Sequence, residues 1–272
     1  MSSARDHLLQ KLFVRRKPEV VMDIGACNGY AGVHYGHMFP GAVVHAFEPV
    51  PTNHALVLAN ATKHPEVDLR AHCLALSDRA GRAVLHLSSA EGSRRSDGHR
   101  SSSLLEPGLT TKVHPWLEFK QRIEVTTDTL DAFCARERIA AIDLIHMDVQ
   151  GAELMVLRGA PVMLKKVKAI WMEVERVQLY KGQPVKREVE AFMRANGFVL
   201  TISSVDHIAG DQLWVSRTFL EEQPHSLQWQ VTLGRWWGAV RMSAITALGA
   251  LRYRVQLRTR LRTMLKALRL SA

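Results

Sequence analysis

Two stretches of this chain gather side chains that could do chemistry. The first is Asp23-Ile-Gly-Ala-Cys-Asn-Gly29, with Phe47-Glu-Pro49 following it. Gly25 and Gly29 allow a backbone to approach a ligand closely. Glu48 stands 25 residues after Asp23, and an ionised carboxylate, an acceptor only, can take both hydroxyls of a ribose. Gly25 and Gly29 do not form the G-x-G-x-x-G spacing of a dinucleotide site, and the glycines of a phosphate cradle are missing. A nucleoside without a pyrophosphate therefore fits best, S-adenosylmethionine ahead of NAD or ATP. By itself the glycine pattern is equally that of a strand-ending turn. Glu48-Pro49 at the end of the next strand favours a ligand.

The second stretch is Ile142-Asp-Leu-Ile-His-Met-Asp-Val-Gln-Gly-Ala-Glu153. With strand period two, Leu144, His146 and Asp148 share a face and Asp148 falls at the carboxyl end. Glu153 falls in the first turn of the next helix, where the dipole favours a carboxylate. Glu173 and Glu175 end a further strand on one face. Such carboxylates could hold a divalent cation or act as a base. Each also has a plainer reading: Glu153 as a first-turn charge, His146 as a hydrogen-bonded core histidine, Asp148 as one half of a structural pair.

These residues need elements to position them. Apolar runs at 19–24, 43–47, 67–76, 142–149 and 168–174 have the form of buried strands. Helical spacing follows at 52–63, 129–136 and 152–166, the last broken at Pro161, and at 185–196, stopped by Gly197. Residues 198–203 and 212–216 read as two final strands, and 5–14 as a short leading helix. Alternating runs at 83–87 and 122–126 flank a polar stretch, 88–103, that reads as a mobile loop able to close over an acceptor. Strands alternating with helices predict a doubly wound α/β sheet, in which ligands sit beyond the carboxyl ends of the strands.

The 272 residues are 47% apolar and 23% charged, which excludes a disordered or disulfide-dense chain. The net charge of +10 is unevenly placed. No acidic residue follows Glu222, whereas nine basic ones do, so residues 1–222 are nearly neutral. Three widely spaced cysteines, Cys27, Cys73 and Cys134, give no disulfide framework or metal pair. Without an apolar leader or a run of ~20 apolar residues, a cytoplasmic protein is expected, with membrane contact at most peripheral. The expected organisation is an N-terminal helix (1–18), a catalytic domain (19–218) and a basic amphipathic helical tail (219–272). Leu233, Trp237, Val240, Ala244, Leu248 and Leu251 line one face of that tail. It suits packing on the body or on a second copy, an anionic membrane surface, or, less well, nucleic acid.

The motifs Asp23-Ile-Gly-Ala-x-x-Gly29, Phe47-Glu-Pro49, Thr129-Leu-Asp131 and Asp148-Val-Gln-Gly-Ala-Glu153, followed by Leu157-x-Gly-Ala160, resemble those of FkbM-type methyltransferases. The likeness runs from about residue 19 to 216. It implies the class I methyltransferase Rossmann-like fold, seven strands with the last antiparallel. It also implies S-adenosylmethionine-dependent methylation of a hydroxyl on a sugar, glycan or natural product. By position, Asp23, Gly25, Ala26, Asn28 and Gly29 would serve the methionine end of the cofactor, and Glu48 with Pro49 the ribose. Leu76, Ser77 and Asp78 would lie near adenine. His146 stands where the family usually has Lys, which brings a group that titrates near neutral pH. The expected base or substrate-positioning group is Asp148, then His146, then Glu173. A divalent cation is compatible with the same carboxylates. Rival readings are a ribose 2′-O-methyltransferase using the basic tail and a non-catalytic cofactor-binding scaffold.

Overall fold

The computed structural model describes residues 4–90, 98–229 and 231. In chain order the elements are α1 (Ala4–Leu12), β1 (Val20–Ile24), α2 (Tyr30–Met38), β2 (Val43–Phe47), α3 (Pro51–Lys63), β3 (Asp68–His72), β4 (Ala75–Leu76) and β5 (Gly81–Ser89). Then come α4 (Thr110–Val113), β6 (Glu118–Asp128), α5 (Leu130–Arg136), β7 (Ile142–Met147), α6 (Glu153–Arg158) and a 3-10 turn (Met163–Lys166). The last are β8 (Val167–Glu175), α7 (Lys186–Ala195), β9 (Phe198–Ser203), β10 (Ala209–Ser216) and α8 (Arg217–Glu221).

Seven strands form the main sheet in the order β3-β2-β1-β7-β8-β10-β9. The first five pair in parallel, and β10 enters antiparallel between β8 and β9. This is the expected doubly wound α/β sheet with its antiparallel final strand. The order reverses direction between β1 and β7, the switch point where such sheets bind ligands. Both strands are buried on both faces, which explains their unbroken apolar runs.

Alternate residues feed two cores. Met22, Ile24, Ile145, Met147, Ile170 and Met172 meet α5 to α7 through Phe133, Leu157 and Met193. Val21, Leu144, Ala169 and Leu213 meet Leu9, Leu12 and Phe13 at α1 and Tyr35 on α2. Phe13 also stacks on Phe219 at 5.1 Å, which ties the N-terminal helix and α8 into the body.

Three expectations need adjustment. Residues 67–76 are not one strand: β3 belongs to the main sheet, whereas β4 joins β5 and β6 in a separate three-stranded sheet. The helix expected over 152–166 with a break at Pro161 already ends at Arg158, and only a 3-10 turn follows Pro161, a residue that disfavours the helical conformation just before it. The last strand begins at Ala209 rather than residue 212.

The chain divides into two units, Met1–Gln228 and Trp229–Ala272. Nearly all of the second unit lies outside the described residues, so the expected tail helices, and their membrane, self-association or nucleic-acid roles, fall there too. Among the described residues no helix is long and apolar enough to cross a membrane.

Candidate active site

β1 hands the chain to a tight loop in which Gly25, Cys27 and Gly29 all have positive φ, at 84°, 52° and 80°. The Gly25 and Ala26 amides donate to the Phe47 carbonyl at 3.0 and 2.9 Å, hooking the loop onto the end of β2. A Cβ at Gly25 would lie 1.9 Å from the Asp148 carbonyl oxygen. Glycine there is what lets the two chemical stretches meet at the switch point.

Glu48 organises the same corner. Its Oε2 accepts from the Cys27 amide and its Oε1 from the Val50 amide, both at 2.8 Å. Burial pushes its pKa up to about 7, against the pull of those two amides. One N–H per oxygen leaves further acceptor capacity on each.

Glu48 faces a cavity of about 560 Å³, its open mouth included. Gly25, Cys27, Phe47 and Pro49 form one wall, Leu74 and Leu76 another, and Asp148, Val149 and Ala152 the end under β7. Leu85 from β5 and His99, Arg100, Ser102 and Leu104 from the segment after the undescribed residues cover it. The loop is thus a wall of the cavity on its described side. Burial, then Glu48, raises the Cys27 thiol pKa, whereas nearby Arg100 lowers it.

Of the residues expected at the cofactor, Gly25, Glu48, Pro49 and Leu76 line this cavity. Ala26 is buried against Val57 and Ala46. Asn28 holds the loop instead, accepting from the Tyr30 amide through Oδ1 and from Asn60 Nδ2 through its carbonyl. Gly29 packs on Val57, 3.1 Å from where its Cβ would be. Ser77 and Asp78 are not among the lining residues: Ser77 is buried with its carbonyl against Gly159, and Asp78 pairs outward with Arg79.

Asp23 is fully buried, and its Oδ1 lies 2.8 Å from His146 Nδ1. The other oxygen, Oδ2, is buried without a partner among the described residues. His146 therefore pairs with Asp23 and not with Asp148, because Asp23 and His146 sit directly across the β1–β7 ladder on one face. Tyr35 packs beside the imidazole, ring centres 5.5 Å apart.

Acidic groups crowd the carboxyl ends of β7 and β8. Glu153 receives the Val149 and Gly151 amides at 3.2 and 3.3 Å, so it braces the turn before its own helix. Burial first raises Glu153 to about 7, Glu173 to about 8 and Glu175 to about 9, and the three reinforce one another with Asp148. Asp148 is also raised, by its crowded surroundings and then Asp23, opposed by Gln150 and His146. Its side chain is exposed at the cleft mouth, where water screens part of that effect.

Gln150 was not singled out from the sequence, although it lies inside the second motif. Its φ is 54°. Its Nε2 donates to Asp148 Oδ1 at 2.6 Å and to Glu173 Oε2 at 3.2 Å. Its Oε1 lies 3.2 Å from the Tyr180 hydroxyl, which also lies 2.7 Å from the Ser101 carbonyl. Its own carbonyl accepts from Ser103 Oγ at 2.7 Å. One residue thus joins the strand-end carboxylates to the segment covering the cavity. Among the described residues, the group of three ligand-type side chains with all ligand atoms within 4.8 Å is His37, His64 and Glu66, not these carboxylates.

With that geometry in place, the likenesses to known proteins become specific. The model of the methyltransferase FkbM domain matches residues 23–200. The 2-O-methyltransferase NoeI of Sinorhizobium fredii (strain NBRC 101917 / NGR234) is 32% identical over 182 residues, 67% of this chain and 74% of that one. The 31-O-demethyl-FK506 methyltransferase FkbM of Streptomyces tacrolimicus is 29% identical over 213 residues, 73% of this chain and 79% of that one. Among solved structures, magnesium protoporphyrin IX methyltransferase (ChlM) of Synechocystis PCC 6803 with bound SAM aligns at a TM-score of 0.43 and 9% identity, covering 78% of this chain and 77% of that one. The matched span contains both chemical stretches and the switch point between them, and the chain belongs to the FkbM methyltransferase family, as an enzyme of methyl transfer.

Proposed function

We propose that this enzyme moves the methyl group of S-adenosylmethionine to a hydroxyl of a sugar, glycan or natural-product acceptor. The relatives' names place the methyl on oxygen in both cases. The observation that carries the reading is that Asp148 does two things at once: it closes one end of the Glu48 cavity and, through Gln150, meets Glu173 on the far side.

The residues present fit the cofactor. The cavity's side walls, Phe47, Leu74, Leu76 and Leu85, are apolar, with Glu48 among them as a polar group, the usual make-up of a small-molecule site. Glu48 keeps acceptor capacity for ribose hydroxyls. The orphaned Asp23 Oδ2 faces Gly32 of α2 and is not among the groups lining the cavity, so Asp23 acts on the site through His146. When bound, the cofactor supplies a sulfonium methyl already reactive toward oxygen, so the protein's share is positioning and proton removal.

Asp23, through Oδ1, holds His146 Nδ1 as the donor, which leaves Nε2 as the acceptor of a proton. Asp148 and Glu173, joined through Gln150, fix the acceptor hydroxyls in the cleft, and Asp148 is the alternative base. A divalent cation at these carboxylates is a further arrangement, one that would make turnover stop in chelator. The reaction belongs in the cytoplasm, where the three free thiols persist reduced.

The experiment is calorimetric titration with S-adenosylmethionine, followed by a methyl-transfer assay over a panel of sugars, glycans and macrolides. Cofactor binding with transfer to an oxygen is the expected result. Binding without transfer to any member would favour a scaffold, and transfer to RNA would favour the ribose 2′-hydroxyl reading.

A further inference from the structure

We infer a transition-metal site on the opposite side of the cofactor-binding half, built by His37, His64 and Glu66. His37 lies in the last turn of α2, His64 is the C-cap of α3, and Glu66 is in the short turn leading to β3. His37 Nε2 and His64 Nδ1 each lie 3.4 Å from the same oxygen, Glu66 Oε1, and all three ligand atoms fall within 4.8 Å of one another. The two imidazole rings stand at 88° with centres 5.3 Å apart.

His64 Nδ1 and Glu66 Oε1 make a long hydrogen bond at 3.4 Å. Charge-assisted N–H···O contacts close to about 2.7–2.9 Å, so the three groups stand wider apart than hydrogen bonding alone requires. Ligands about 2.0–2.1 Å from a tetrahedral metal stand about 3.3–3.4 Å from each other, which is the spacing from each nitrogen to the oxygen. Two nitrogens and one oxygen suit a borderline divalent ion such as zinc, and are unsuited to magnesium or calcium, which take oxygen ligands. The three side chains are between 37% and 55% exposed, so an ion reaches them and a fourth position stays open to water.

The backbone holds the three groups in place. Gly36 packs so tightly on Val67 that a Cβ would lie 2.1 Å from Val67 Cγ1, which pins the 64–67 turn against α2 beside His37. The Val67 amide donates to the His64 carbonyl at 3.0 Å, closing that turn. The C-termini of α2 and α3 both end here, and their partial negative charge favours a cation. The same helices begin at the other side next to Gly29 and Glu48, so an ion at this point clamps the far ends of the two helices that leave the cofactor loops.

The full-length chain, free of any affinity tag and stripped with chelator, is titrated with zinc by calorimetry and melted with and without it. The expected result is one saturable zinc ion per chain held by these residues, and a Tm raised by the ion. His37→Ala and His64→Ala each weaken that affinity at least about tenfold and abolish the Tm shift, whereas His207→Ala, at an exposed loop histidine, changes neither. Circular dichroism of both variants without metal confirms that they fold. Wild-type zinc affinity in either variant, or no saturable binding by the wild type, overturns the site. Neither outcome bears on methyl transfer, whose residues lie elsewhere.

Discussion

His146 Nδ1 and Asp23 Oδ1 face each other at 2.8 Å across the two central parallel strands, with the carboxylate wholly buried. A buried carboxylate offers no proton, so it fixes which imidazole nitrogen carries one. Asp23→Asn removes that constraint and leaves the shape nearly unchanged. Turnover is expected to fall roughly 10²–10⁴-fold, in the range of general-base effects, with acceptor KM changed far less. Cofactor affinity, measured in parallel by calorimetry, separates loss of orientation from loss of cofactor contact. His146→Lys, which restores the residue usual in the resembling family, keeps a donor to Asp23 but has no second nitrogen to take a proton. Undiminished turnover in that variant would sink the role of the imidazole as base.

The cavity half of the candidate site was legible in part, through signals that are local. Asp23, Gly25 and Glu48 announce themselves through strand-end position, glycine spacing and a single carboxylate. The other half was legible only in part. Asp148 and Glu173 follow from strand periodicity, but the partner of His146 depends on the β1–β7 register, which no local pattern contains. Tyr180 and Arg100 reach the cleft from segments that carry no motif. Gln150 stood within a recognised run, yet a neutral amide draws attention only once the carboxylates on either side of it are known. The split of residues 67–76 between two sheets was hidden for a similar reason: β4 is chosen by its pairing with β6, a long-range event.

Glu48 at the ribose is expected to make cofactor affinity depend on pH. Its pKa is raised to about 7, so at pH 6 most of it is protonated and one oxygen is a poorer acceptor for a ribose hydroxyl. S-adenosylmethionine affinity is expected to rise between pH 6 and pH 8. Glu48→Gln should weaken binding by roughly 10–100-fold, a loss of about 1.4–2.8 kcal/mol, and flatten that dependence. Titrations of both proteins across the range check it. Equal slopes would remove Glu48 from the ribose contact.

Gln150 bridges groups that would otherwise repel. Gln150→Gly keeps the left-handed backbone accessible and deletes the whole side chain, the bridging amide with it. Asp148 and Glu173 then lose their common donor, and Tyr180 loses one of its acceptors. A fall in kcat of roughly 10–100-fold, the size expected of one or two charge-assisted hydrogen bonds, should accompany a raised acceptor KM with the cofactor Kd held. Asp148→Asn should also spare cofactor binding while cutting turnover. Steady-state kinetics at saturating cofactor separates the two variants. Undiminished turnover in Asp148→Asn would leave His146 as the base.

The raised carboxyls at the ends of β7 and β8 should make the protein without ligand less stable as pH rises. Glu153, Glu173 and Glu175 sit at about 7, 8 and 9 in the folded chain, against about 4.3 for an unperturbed glutamate. A group that binds its proton more tightly when folded adds stability that is complete below the unfolded pKa and is lost as pH climbs through the folded one. The window is therefore pH 5 to 9. Carboxyls shifted the other way, such as Asp68 beside Arg70, act below it. Glu175 is 2% exposed, so its ionisation strands a charge among neighbouring acids, relieved only in part by the Gln183 side chain. Glu175→Gln keeps the shape and cannot ionise. At pH 5.5 its Tm should stand closer to the wild type's than at pH 8.5. At pH 8.5 it should stand higher by about 3–6 °C, equivalent to about 1–2 kcal/mol for a domain of this size. Calorimetric melts at the two pH values test this, and parallel Tm curves for the two proteins would show that Glu175 keeps the same proton affinity folded and unfolded.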